Sequence, residues 1–134
     1  MIARRSSKVS TRERGSAVVE FVLVLPLVLT MALALLQVGL LAKDQLVLME
    51  SARAGAREGS VSINDADVEQ AAIEAAATLD SSRIEVAVQR EGGVGAPVTV
   101  SVTYQAPIVV PLVAWLFPAD IELGATATMR QETG

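Results

Sequence analysis

The 134-residue sequence predicts an α+β protein. In it a long N-terminal transmembrane helix continues into an extracytoplasmic domain, where a second helix packs on a three-stranded antiparallel sheet. Three observations predict this layout. Residues 21–42 form an uncharged apolar run, residues 64–79 form a capped Ala-rich amphipathic stretch, and three segments after residue 83 alternate apolar with polar side chains. The composition agrees: apolar residues make up 51 %, charged ones 19 %, and the mean hydropathy of +0.46 argues against disorder and for a membrane segment.

The apolar run from Phe21 to Ala42 reads FVLVLPLVLTMALALLQVGLLA, with Thr30 and Gln37 as its clearly polar residues. At about 1.5 Å per residue it forms a helix of roughly 33 Å, enough to cross a bilayer core of about 30 Å. A chain of this size has too little protein to surround such a helix. The run is longer than the apolar region of a cleavable secretory signal and passes into Lys43-Asp44-Gln45 without an A-x-A-like site, so it reads as a retained anchor. Pro26 removes one backbone donor, which kinks the helix or is absorbed by neighbours.

Beyond the span, Leu46, Val47, Met49, Ala52, Ala56 and Gly59 continue an apolar or small face. The helix is therefore expected from about Ser16 to about Glu58. That divides the chain into a basic leader at 1–15, a long helix at 16–58 with its span at 21–42, and a small α+β domain at 59–134. Gly55 and Gly59 spell GxxxG, but Arg57 and Glu58 lie between them. Helix termination or packing within the domain explains the pair better than membrane dimerisation.

The second helix has Asn64 as its N-cap, Asp65, Asp67 and Glu69 in its first turn, and Val68, Ala71, Ala72, Ala75, Ala76 and Leu79 as its apolar face. The acidic run superficially resembles a calcium loop. It lacks the glycine at the sixth position, and Ala76 stands where the bidentate glutamate belongs, so capping is the better reading. The strands centre on Ile84, Val86 and Val88, on Val98, Val100 and Val102, and on Ile121 to Met129, each with one apolar face. Glu91 to Gly95 reads as the turn between the first two. The connection Ala106–Asp120, APIVVPLVAWLFPAD, is long and apolar, with three prolines and the only tryptophan. It is expected to pack along the sheet edge, to touch the outer leaflet, or to dock on another subunit. Trp115 and Phe117 are its candidate subunit contacts.

Charge is divided unevenly. The leader holds Arg4, Arg5, Lys8, Arg12 and Arg14 against Glu13 alone, a net of +4, and the remainder holds six basic and fourteen acidic groups, a net of −8. The bias of cations before the span places the N-terminus in the cytoplasm and the acidic body outside, which excludes nucleic acid as a partner. The chain has no cysteine and no histidine, so disulfides, thiolate nucleophiles, Cys/His metal sites and imidazole bases are absent. Lys8 and Lys43 are the only lysines and both flank the membrane, which leaves a Ser/Lys hydrolase little support. No enzyme activity, cofactor, metal or small-molecule substrate is expected.

Glu20 opens the apolar run. A carboxylate at mid-span costs about 2.5–3.5 kcal/mol and less near the interface. It is therefore either compensated by a partner or held as an interfacial residue favoured by the helix macrodipole.

The string Arg14-Gly15-Ser16-Ala17-Val18-Val19-Glu20-Phe21, followed by a long apolar helix, resembles the class III signal of type IV pilin-like proteins. The resemblance implies cleavage by a prepilin peptidase between Gly15 and Ser16, with Glu20 fifth and Phe21 sixth in the mature chain. It also implies that Glu20 attracts the N-terminal amine of a neighbouring subunit during assembly. Together with Leu25-Pro26-Leu27, the segment Ser51 to Arg57 and the closing Ala125 to Glu132, the pattern resembles TadE-like minor pilins or pseudopilins of tight-adherence (Flp) pili. The implied partners are the lipid bilayer, the prepilin peptidase, other pilin subunits and the pilus assembly machinery. The implied location is the bacterial cytoplasmic membrane, single-pass, with incorporation into an extracellular pilus. The alternative is a signal-anchored extracytoplasmic binding module that keeps its leader.

Overall fold

Thr11–Val61 form one helix of 51 residues, α1, in a computed structural model that describes residues 11–133. The leader residues Arg4, Arg5 and Lys8 lie outside the described residues. α1 extends three residues beyond the expected end at Glu58 because its last turn is held from outside. The Ser60 hydroxyl donates to the Arg57 carbonyl at 2.7 Å, and Arg90, from the first strand, donates to the carbonyls of Gly59 at 3.1 Å and Ser62 at 2.9 Å. The Gly59 carbonyl is one that the helix end leaves without an intrahelical donor, and a cation there also opposes the helix dipole.

The second helix, α2, spans Asp65–Ala75 and starts as its sequence predicts, with the Asn64 side chain accepting from the Ala66 amide at 3.1 Å. The acids of its first turn are engaged by protein donors. Asp65 pairs with Arg90 at 2.9 Å, and Asp67 accepts from the Ser62 hydroxyl and the Asn64 amide. α2 ends four residues before the expected Leu79. The Leu79 amide turns back to the Ala76 carbonyl at 2.9 Å, and Asp80 then caps a short 3₁₀ turn, Ser81–Arg83, that redirects the chain. Leu79 still reaches the core.

Three strands follow, β1 (Ile84–Arg90), β2 (Pro97–Ala106) and β3 (Ile121–Arg130), paired antiparallel in the order β1-β2-β3. In the central strand Val98, Val100, Val102, Tyr104 and Ala106 are buried on one face. The other face carries a polar ladder in which Thr99 bonds Thr128 at 2.9 Å and Ser101 bonds Thr126 at 3.1 Å. The β1–β2 connection turns through Gly95, whose φ of +87° lies in the left-handed region that suits glycine.

The core lies between the sheet, α2 and the second half of α1, and it closes only because α1 presents small residues there. Ser51, Ala52, Gly55, Ala56, Gly59 and Ser60 are all buried. A Cβ on Gly55 would sit 3.0 Å from Val100 Cγ1 and 3.2 Å from Ala72 Cβ, and one on Gly59 would sit 2.9 Å from Val98 Cγ1. The GxxxG pair is thus a contact between α1, α2 and β2, as its charged neighbours predict. The Ser51 hydroxyl adds a buried bond of 2.6 Å to the Ala72 carbonyl.

Candidate assembly and membrane site

The first half of α1 receives no comparable cover. From Arg14 to Leu29 every residue is exposed, among them Val18, Phe21, Leu23 and Leu27. Among the described residues this is the one helix long and apolar enough to cross a membrane. Cover from the domain becomes complete first at Gln37, which is fully buried, and Leu41 packs against the core. The apolar run 21–42 therefore has two surroundings. Its outer end lies beside the domain, whereas Phe21–Leu36, roughly 24 Å at about 1.5 Å per residue, is largely uncovered.

Gly15 and Ser16 lie about one turn inside the start of α1. Unlike Gly55 and Gly59, Gly15 has open space where a Cβ would go, so nothing in this fold requires glycine there. A glycine costs an exposed helix about 1 kcal/mol relative to alanine, and terminal turns fray readily. Glu20 stands one turn further on, exposed and without an ion-pair partner among the described residues. Phe21 beside it is 63 % exposed. Two turns beyond Phe21, the Thr30 hydroxyl bonds the Pro26 carbonyl at 2.8 Å.

The β2–β3 connection is not a free loop. It carries a 3₁₀ turn, Pro111–Leu116, laid back along α1 toward its N-terminus. Gln37 holds it: the side-chain Oε1 accepts from the Val109 amide at 3.0 Å and the Val110 amide at 3.1 Å. Its Nε2 is buried without a partner among the described residues. Val113 is fully buried, whereas Trp115 is 75 % exposed and Phe117 half-buried. The Trp115 indole N–H donates to the Leu112 carbonyl at 3.1 Å. Trp115 and Leu116 share with Pro26, Leu27, Thr30, Met31 and Ala34 an apolar groove of about 510 Å³. Of the sequence-predicted residues, Gly15, Ser16, Glu20 and Phe21 thus share one exposed stretch, and Trp115 meets the same helix further along.

Two residues with structural consequence had no role assigned from sequence. Gln37 stood out only as a polar side chain in an apolar run, a placement that marks an intramembrane or membrane-edge residue with a specific partner. Arg90 ends a strand whose pattern gives no hint of a helix end beside it.

With this geometry in place, comparison with known proteins is informative for one region. Residues 15–57 match the family model for TadE-like proteins. The chain carries a TadE-like segment. No curated protein and no solved structure matches the chain. The TadE-like segment covers about a third of the sequence, from Gly15 through the exposed half of α1 and into the small-residue stripe that packs on β2. It contains Gly15, Ser16, Glu20, Phe21 and Gln37. It agrees with the resemblance carried by the sequence. α2, the sheet and the Trp115 turn lie outside it.

Proposed function

We propose that this protein is a minor pilin or pseudopilin of a tight-adherence pilus, a structural component rather than a catalyst. It is inserted with its N-terminus in the cytoplasm and its domain outside, and a prepilin peptidase cleaves it between Gly15 and Ser16. One observation carries the reading. Glu20 stands without an ion-pair partner among the described residues, at the start of a helical surface of large apolar residues that its own domain leaves uncovered, five residues after a glycine the described fold does not need. The TadE-like match over the same residues supports it.

In this reading cleavage removes the leader's cations and frees the Ser16 amine. A neighbouring subunit's Glu20 then offers that amine a carboxylate. In the low-dielectric surroundings of packed apolar helices, such a pair is favoured over either charge left alone. The exposed valines, leucines and Phe21 supply the helix-to-helix surface, and the domain remains outside.

Intact-mass analysis of the protein from its native membrane tests processing. Loss of residues 1–15 is expected, whereas a mass that retains them favours the signal-anchored binding module. Glu20→Ala is expected to leave cleavage and domain stability within about 0.5 kcal/mol of the parent, because the side chain is exposed and unpaired. It should nevertheless abolish incorporation into pili; normal piliation would remove Glu20 from the assembly role.

A further inference from the structure

We infer that the β2–β3 connection is a second membrane-embedded element, a hook whose tip at Leu112, Trp115 and Leu116 lies in the hydrocarbon of the outer leaflet beside α1. This rests on reading α1 as the membrane span. The groove shared with Trp115 and Leu116 runs along α1 from Ala34 down to Pro26, roughly one to three helical turns below Gln37. All of those positions fall within the apolar run 21–42 that is long enough to cross the bilayer core. Whatever surrounds α1 at that level also surrounds the hook.

The chemistry of the hook fits that depth. From Ala106 to Ala119 there is no ionisable side chain. Backbone polar groups are the main obstacle to placing irregular chain in hydrocarbon, and non-helical backbone at that depth is tolerated where protein covers it, so the hook's backbone has to lie against α1 with its side chains outward. Here Pro107, Pro111 and Pro118 have no N–H, and Gln37 Oε1 takes those of Val109 and Val110. Those of Val113 and Phe117 go to the carbonyls of Val110 and Ala114, which leaves those of Ile108 and Leu112 without a partner among the described residues. Trp115 is exposed, yet its indole N–H is already bonded to Leu112, so the ring presents only apolar surface outward. A tryptophan resting at the headgroups turns that N–H to water or lipid polar groups instead. Gln37 is the anchor of the hook, a polar residue at the outer end of the span whose carbonyl oxygen meets two amides that lipid cannot.

Trp115 is the only tryptophan in the chain, so the unmodified full-length protein reports on the hook directly. Reconstituted in phosphatidylcholine–phosphatidylglycerol vesicles and excited beyond the absorption of Tyr104, it is expected to emit at short wavelength. Most of the emission should be lost to lipids brominated on the acyl chain, with little lost to aqueous acrylamide. Long-wavelength emission quenched by acrylamide would overturn the proposal. So would emission shielded from both quenchers, which would place Trp115 against another protein copy. A Trp115→Phe, Leu23→Trp variant reads α1 itself. Acyl-chain quenching there without quenching of Trp115 would sink the hook alone, whereas no quenching at Leu23→Trp would remove the span and the hook together.

Discussion

α1 is one continuous helix with two surfaces of opposite design. Between Ser51 and Ser60 its buried face is built from serine, alanine and glycine, and the domain closes against it to side-chain contact. Between Ala17 and Leu36 it carries valine, leucine, methionine and phenylalanine, and its own chain leaves nearly all of that exposed. Hydrophobicity alone would predict the reverse, with the greasier half buried. Side-chain size decides instead. The sheet and α2 approach α1 most closely where it carries serine, alanine and glycine, while Leu48 fills the core just before that stretch. The large apolar surface is therefore left for surroundings that adapt to it, such as lipid or other helices.

The sharpest way to break this contrast is to put the same large residue on the covered face of α1 and on an open face of the same helix. Gly59→Leu is expected to destabilise the domain by about 3 kcal/mol, the upper end for overpacking, because Val98 on the central strand cannot withdraw from 2.9 Å. Gly39→Leu, where a Cβ meets nothing within 4 Å, should leave stability unchanged or slightly raised by better helix propensity. Thermal unfolding of both variants in detergent, followed by near-UV circular dichroism, measures the difference. Equal effects would mean that small residues do not set which half of α1 is covered.

A smaller effect tests where the two surfaces meet. Gln37→Leu keeps the volume but leaves the Val109 and Val110 amides without their acceptor, an expected cost of about 2 kcal/mol. Hydrogen exchange should quicken at those two amides while the amides of β2 keep their protection. Uniform exchange would show that Gln37 is not their acceptor in solution. Arg90→Ala should cost about 1–2 kcal/mol, since it uncaps α1 and unpairs Asp65 at positions water can partly reach. Arg90→Lys should recover only part of that, because an ammonium cannot reproduce the planar fork that meets Asp65, Gly59 and Ser62 together. Full recovery would reduce the contact to simple charge.

Which features the sequence revealed follows from how locally each is determined. The apolar run, the Asn64 cap and the alternation of Val98, Val100 and Val102 are written in adjacent residues, and each sits in the structure as read. The candidate string from Gly15 to Phe21 is likewise local, a short run with fixed spacing, and it falls inside the TadE-like match. Helix ends were less legible. α1 runs past Glu58 because Arg90, more than thirty residues away, meets its last carbonyls, and α2 stops at Ala75 because Asp80 organises the next turn. The hook's position was illegible in detail because it depends on one side chain, Gln37, that pairs with amides 72 and 73 residues further along. Periodicity carries no information about a partner that distant.

The smallest effect concerns the turn that delivers β1 to the covered half. The Asp80 carboxylate accepts from the Ser82 hydroxyl at 2.6 Å and the Ser82 amide at 3.0 Å, and Arg83 lies 3.8 Å away. Those two bonds, the hydroxyl first, hold its pKa below the usual carboxylate range, against a smaller opposing push from desolvation and with the least pull from Arg83. Because the folded-state pKa is depressed, the stabilisation is present above the unfolded carboxylate pKa and is lost as pH falls through the folded one. A carboxyl-detected NMR titration should therefore place the Asp80 midpoint below that of an unstructured aspartate. Ser82→Ala should raise the midpoint more than Arg83→Gln does, since the hydroxyl bond outweighs the screened charge of an exposed arginine. The opposite order would make this turn an ion pair rather than a hydrogen-bonded cap.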